Sequence, residues 1–290
     1  MATYHYGTMK NRPRVGLALS GGSALGISHI GALQSLADHH VPIDCIAGTS
    51  AGSMVAALYA FGMAPDEMAK TAKKLNWFTF FKFSYSTLGL VTNQAVGDMF
   101  IKLVGDVNIE DAAIPLAIVA TDLTSGEKVV FRKGNAAHAI MASTCVPGLF
   151  VPVKSGSTLL VDGGLVENLP LSPLEEMGAQ VKIGVDLERY RAYKAPRHLV
   201  DVMMNSVDIV THAQSKYRAS PADVRIEPHL EAYTTSDWGR AAELLAEGYR
   251  TATNAIPDIM QRLEQRAAVN HREHAVPLTW LGRFWRWLQS

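Results

Sequence analysis

The stretch Cys45-Ile46-Ala47-Gly48-Thr49-Ser50-Ala51-Gly52-Ser53-Met54-Val55-Ala56-Ala57-Leu58 reads as a buried strand, a sharp turn carrying one serine, and a helix of small apolar residues. In Gly-x-Ser-x-Gly the serine sits on a tight strand-to-helix turn, and the flanking glycines remove Cβ atoms that would clash as the backbone folds back. Gly48 and Gly52 are therefore the elbow, and Ser50 is the exposed hydroxyl at its tip. The following helix aims unpaired amides and its positive dipole end at the turn, which suits a nucleophile beside a developing negative charge. The competing reading is a structural N-cap, a position that serine also favours.

Upstream of the elbow, Val15-Gly16-Leu17-Ala18-Leu19 is short and apolar, as a central parallel strand should be. Ser20-Gly21-Gly22-Ser23-Ala24-Leu25-Gly26 follows and opens a helix on which Ile27, Ile30, Leu33 and Leu36, with Ala37, keep the helical period. A dinucleotide fingerprint would need glycine where Ser23 stands, and a phosphate-binding P-loop would need a closing Gly-Lys-Ser/Thr. Exposed amides have another use, the oxyanion hole of acyl transfer, and Gly21, Gly22 and Ser23 are its candidates. A tight structural turn is the alternative.

Downstream, Pro65-Asp66-Glu67 starts a helix that runs to about Lys74. Trp77, Phe78, Phe80, Phe81, Phe83 and Tyr85 then crowd together without helical or strand periodicity, either as a satellite of the core or as a mobile apolar wall beside the nucleophile. Leu116 to Ala120 is a buried strand that pairs with Lys128 to Arg132, and Ala136 to Ser143 is helical. Thr158-Leu159-Leu160-Val161-Asp162-Gly163-Gly164 ends a strand on an aspartate. Chemistry in open α/β sheets gathers at the carboxyl ends of strands, so Asp162, on its loop with Gly163 and Gly164, is the best partner for Ser50. Further strands are expected at Val181 to Asp186 and Val224 to Ile226, with helices over 170–177, 199–215 and 239–266, the last broken or kinked at Pro257.

Length and composition fit one large α/β domain: 290 residues, 48% hydrophobic, with 27 basic and 27 acidic residues. That balance gives no reason to expect nucleic acid as a partner. Cys45 and Cys145 stand in apolar surroundings outside any ligand pattern and read as buried thiols. His29 and His138 lack the neighbours that mark a base. His271 and His274 have no third ligand nearby, so neither metal nor cofactor is expected. No signal peptide or membrane-spanning run is visible, which makes the cytoplasm the expected location.

Taken in order, Gly21-Gly22-Ser23-Ala24-Leu25-Gly26, Gly48-Thr49-Ser50-Ala51-Gly52 and Asp162-Gly163-Gly164 resemble the patatin-like phospholipase family, with the likeness running from about Arg14 to Arg266. The resemblance implies a three-layer α/β/α fold on a central, mostly parallel sheet, and a serine–aspartate dyad with Ser50 as nucleophile and Asp162 as general base. It implies a lipid acyl hydrolase that takes a lipid or acyl-ester substrate. A short-chain carboxylesterase or thioesterase, and a non-catalytic regulatory protein on the same fold, are the alternatives. The family loop usually reads Gly-Gly-Gly-x-Arg/Lys-Gly, whereas this chain has Ser23 at the third glycine and Leu25 at the basic position.

The expected organisation is an arm over residues 1–13, the hydrolase domain over 14–266 and a tail over 267–290. Wound as a helix, Trp280, Leu281, Phe284, Trp285, Trp287 and Leu288 share one side, and Arg283 and Arg286 lie on the other. Such a segment either docks on the protein or makes weak, salt-sensitive contact with the inner face of a membrane.

Overall fold

The computed structural model describes residues 12–74, 82–83, 86–188, 195–197, 199–218 and 222–274. The aromatic segment lies outside them except for the backbone of Phe83, as do the N-terminal arm to Asn11 and the amphipathic tail from residue 275. The side chains of His271 and His274 are likewise outside the described set.

β1 (Val15–Leu19) leads through the glycine loop to α1 (Ile27–Asp38), and β2 (Cys45–Thr49) leads through the elbow to α2 (Ala51–Ala60). α3 (Pro65–Lys74), β3 (Lys82–Phe83), β4 (Gly89–Thr92) and α4 (Gln94–Val104) follow. β5 (Leu116–Asp122), β6 (Lys128–Phe131) and α5 (Ala136–Ser143) form the next group, then β7 (Gly148–Phe150), β8 (Val153–Ser155) and β9 (Thr158–Asp162). The chain continues with α6 (Ser172–Glu176), β10 (Val181–Val185), α7 (Leu199–Arg218), β11 (Val224–Ile226) and α8 (Ala241–His274).

The main sheet has the order β11-β10-β1-β2-β5-β9-β8, with β6 also paired to β5. From β11 to β5 every pairing is parallel, while β6 and β9 run antiparallel to β5. Period-two alternation sorts the side chains of the central strands between two layers. Leu17, Leu19, Ile46, Ile118 and Ile183 enter the large core that includes residues of α1, α2 and α8. Ala18, Ala47 and Ala117 face the other way, onto Leu169, Leu171 and Leu174. That second face is built of small residues because its cover lies close: a Cβ on Gly16 would sit 2.8 Å from the Ala179 Cβ.

α1 and α8 cross at glycines. A Cβ on Gly31 would fall 2.0 Å from the Leu245 carbonyl oxygen, and one on Gly248 would fall 1.9 Å from that of Ser28. Of the break or kink expected at Pro257, the break is corrected, since α8 runs from Ala241 to His274 with Pro257 inside it. A proline there removes one helical hydrogen bond. Burial of Ala252 before it and Ile259, Met260 and Leu263 after it holds the helix in one piece.

The strand that carries Asp162 is antiparallel, so its place beside the elbow has another cause than the parallel-sheet rule. β2 pairs with β5 as far as Thr49 against Val119, and β9 pairs with β5 from Asp162 against Ala120. β6 spans Ile118 to Thr121 of β5 and overlaps both ranges. A strand has only two edges, so β2 and β9 share one edge of β5 and run head to head. Their carboxyl ends meet, and Ser50 and Asp162 are the residues at the meeting point.

Candidate active site

Ser50 has φ +51° and ψ −125°, a conformation that a side chain rarely adopts. The surroundings enforce it. A Cβ at Gly48 would lie 2.5 Å from the Gly52 oxygen, and one at Gly52 would lie 2.2 Å from the Leu19 oxygen, so neither position accepts a side chain. The Ser50 amide donates to Ser143 Oγ at 2.8 Å, and Ser143 Oγ donates to the Val119 carbonyl at 2.6 Å, which ties the elbow to β5.

The Ser50 hydroxyl donates to Asp162 Oδ2 at 2.6 Å. Asp162 Oδ1 accepts the Gly164 amide at 2.8 Å, so each carboxylate oxygen is engaged and the group cannot turn away. Burial pushes the Asp162 carboxyl up to about 6. The hydrogen bonds from Ser50 and the Gly164 amide pull against that rise, and the negative charge of Asp208 adds to it. The result is a carboxylate basic enough to take a hydroxyl proton near neutral pH.

The glycine loop stands against this pair. Gly21 is wedged in place: its Cβ would meet Asn168 Oδ1 at 2.5 Å and Ser50 Cβ at 3.1 Å. Its amide donates to Asn168 Oδ1 at 3.0 Å, which corrects its place in the oxyanion set, because an engaged amide is not open to a substrate. The Gly22 and Ser23 amides donate to no partner among the described residues. Ser23 takes φ +52°, so the serine at the family's third glycine keeps the glycine-like backbone at a steric cost. Leu25, at the usual basic position, is fully buried in the main core, where a cation would be unpaired.

Among the described residues no histidine hydrogen-bonds to either side chain of this pair. His29 is buried, burial lowers its ring to about 4, and its Nε2 donates to the Ser20 carbonyl at 2.7 Å. It braces the start of the glycine loop as a neutral ring. His138 packs edge-on to Phe131. Cys45 and Cys145 are buried free thiols, and burial with the nearby Asp162 charge pushes Cys145 up to about 12. Among the described residues no cluster of His, Cys, Asp and Glu could hold a metal ion.

A model of the family described as "Patatin-like phospholipase" matches residues 17–175, more than half of the chain and the segment that contains the glycine loop, Ser50 and Asp162. The chain belongs to the patatin-like phospholipase family. It is 39% identical over 178 residues to an uncharacterized NTE family protein of Mycobacterium tuberculosis, a match covering 60% of this chain and 49% of the relative. It is 27% identical over 276 residues to Lysophospholipase NTE1 of Candida albicans, covering 84% of this chain and 20% of the relative. The chain thus spans about half the length of the first of these relatives and a fifth of the second.

Among solved structures, VipD from Legionella pneumophila is similar in fold, with a TM-score of 0.58 at 16% identity, covering 88% of this chain and 67% of that one. Human GIVD cytosolic phospholipase A2 in complex with methyl gamma-linolenyl fluorophosphonate has a TM-score of 0.51 at 12% identity, covering 89% and 60%. The fold shared with these neighbours is a central sheet flanked by helices. Among the described residues no helix is long and apolar enough to cross a membrane.

A cavity of about 790 Å³ opens at Ser50. Its apolar part takes one stripe from each of four helices: Ile27 and Ile30 of α1, Met54 and Leu58 of α2, Met68 of α3, and Met99 of α4. Its other part is polar, with Asp201, Asn205 and Asp208 of α7 and Thr234 to Asp237. Exposed lining residues Ala195, Arg197 and Ser236 mark its open end. Ser143, Asn168 and Asp208 are the residues around this pair that sequence reasoning missed. None belongs to a local pattern, and each reaches the site only through long-range packing.

Proposed function

We propose that this protein hydrolyses carboxylic esters of lipids through Ser50 and Asp162. The observation that carries the reading is the 2.6 Å hydrogen bond to a buried carboxylate from Ser50 Oγ, on a residue that lines a partly apolar cavity. Asp162 takes the Ser50 proton as Oγ attacks the ester carbon, and the carbonyl oxygen becomes an oxyanion facing the Gly22 and Ser23 amides. Collapse breaks the bond to the leaving alcohol, which takes the proton from Asp162 and leaves an acyl-serine. Water then attacks the acyl carbon, gives its proton to Asp162, and the fatty acid leaves as Ser50 recovers the proton.

The cavity favours long acyl chains over the short-chain esterase alternative. Each methylene buried there is worth about 0.8 kcal/mol, nearly fourfold in binding. With the full chain, kcat/KM for p-nitrophenyl esters is expected to climb from acetyl to decanoyl. A flat profile would favour the short-chain reading, and no hydrolysis of any member would remove the hydrolase reading.

The pH profile follows from the base. Asp162 works only when ionised, and its carboxyl is held at about 6, so kcat/KM should fall as pH drops through 6. Asp208→Asn removes a like charge that holds Asp162 up, so it should move this acid limb to lower pH. An acid limb that stays in place in Asp208→Asn means that another group sets it.

A further inference from the structure

α7 turns its polar side inward. Asp201, Met204, Asn205 and Asp208 line the cavity, spaced as one helix face. At about 100° per residue, Leu199, Val202, Ser206, Ile209, Val210 and Ala213 fall within an arc of about 100° on the far side. All six are exposed, Leu199 to 67% and Ile209 to 56%, and the stripe contains no charge. A helix that keeps carboxylates over a cavity and aliphatic side chains in water exposes the kind of face that marks an interaction surface.

We propose that the outer face of α7 docks on a lipid surface and so sets the mouth of the catalytic cavity against it. The inference rests on the lipid-ester reading. Placement selects the partner. The inner face of α7 lines the cavity beside its open end at Arg197 and Ser236. A second protein molecule seated over this helix would crowd that opening, whereas a lipid surface would deliver an acyl chain through it. An uncharged aliphatic stripe also matches the acyl boundary of a bilayer better than it matches a polar protein rim.

The test compares the full chain with its Val202→Glu/Ile209→Glu variant by co-sedimentation with phosphatidylcholine vesicles and by hydrolysis of water-soluble p-nitrophenyl butyrate. Neither residue lines the cavity. Vesicle binding should weaken about tenfold or more, because binding scales with buried apolar area, while butyrate hydrolysis stays unchanged. Equal pelleting of both proteins, or no pelleting of either, overturns the proposal. So does a dimer that the substitutions break while vesicle binding is unchanged. Repeating the sedimentation in a Ser50→Ala background separates the two ideas. If vesicle binding there depends on Val202 and Ile209 although the wild-type chain hydrolyses no ester, the docking face stands and the hydrolase reading falls.

Discussion

Asp162→Asn is expected to lower kcat/KM for an activated ester by about 10²–10⁴-fold, the usual worth of a general base, and to raise the melting temperature in the same sample. The two effects share one cause. Burial lifts the carboxyl from 3.8 to about 6, so above pH 6 the folded state carries a charge that the unfolded chain holds more comfortably. For an acid whose folded pKa is raised, stability is lost as pH rises from the unfolded value through the folded one and recovered below it. The two-unit shift corresponds to about 3 kcal/mol, an upper bound for the gain in the neutral amide. Asparagine keeps an oxygen for the Gly164 amide, so the loop geometry survives. Melting at pH 8 and at pH 4 checks it, with a larger difference between variant and wild type expected at pH 8. A wild-type rate would remove Asp162 as the base, and an unchanged melting temperature at pH 8 would remove the account of its burial.

Ser50→Ala is expected to reduce hydrolysis to background, a loss on the scale of about 10⁶ in kcat for a serine nucleophile, and to abolish labelling by a fluorophosphonate. The far-UV spectrum should not change, because the lost atom is small and the elbow is held by the Ser50 backbone through Ser143 and Ser53. Alanine keeps the unfavourable φ of +51°. Ser50→Gly relieves it, and should be equally inactive yet more stable. Residual turnover in both variants at the wild-type level would mean that Ser50 is only a helix cap.

The sequence resolved what local rules decide. The apolar run before Ser20, the glycines around Ser50, and the aspartate closing a strand at Asp162 each follow from a few neighbouring residues, and each lies in the expected element. It was blind to contacts between distant segments. Nothing near Asp162 reveals that β9 is antiparallel and meets β2 end to end along β5, because direction is set by pairing across the sheet. Gly21 looked like an oxyanion donor until Asn168, far along the chain, claimed its amide. Pro257 signalled a break, and the buried residues on both sides of it outweighed one missing hydrogen bond.

β1, the middle strand of the sheet's parallel run, has one further consequence, for the order of biosynthesis. β1 lies between β2, which follows it closely, and β10, where Val15 pairs with Val181 and Leu19 with Val185. A ribosome therefore finishes Ser50 and Asp162 before it makes β10, the strand that pairs with β1 behind the glycine loop. Ser50 and Asp162, which meet through β2, β5 and β9, are written early, whereas β1, which leads into the glycine loop, lacks one of its two neighbours until residue 185 has emerged. Such distant pairing is slow to form, so the surroundings of the glycine loop are completed late in the making of this chain.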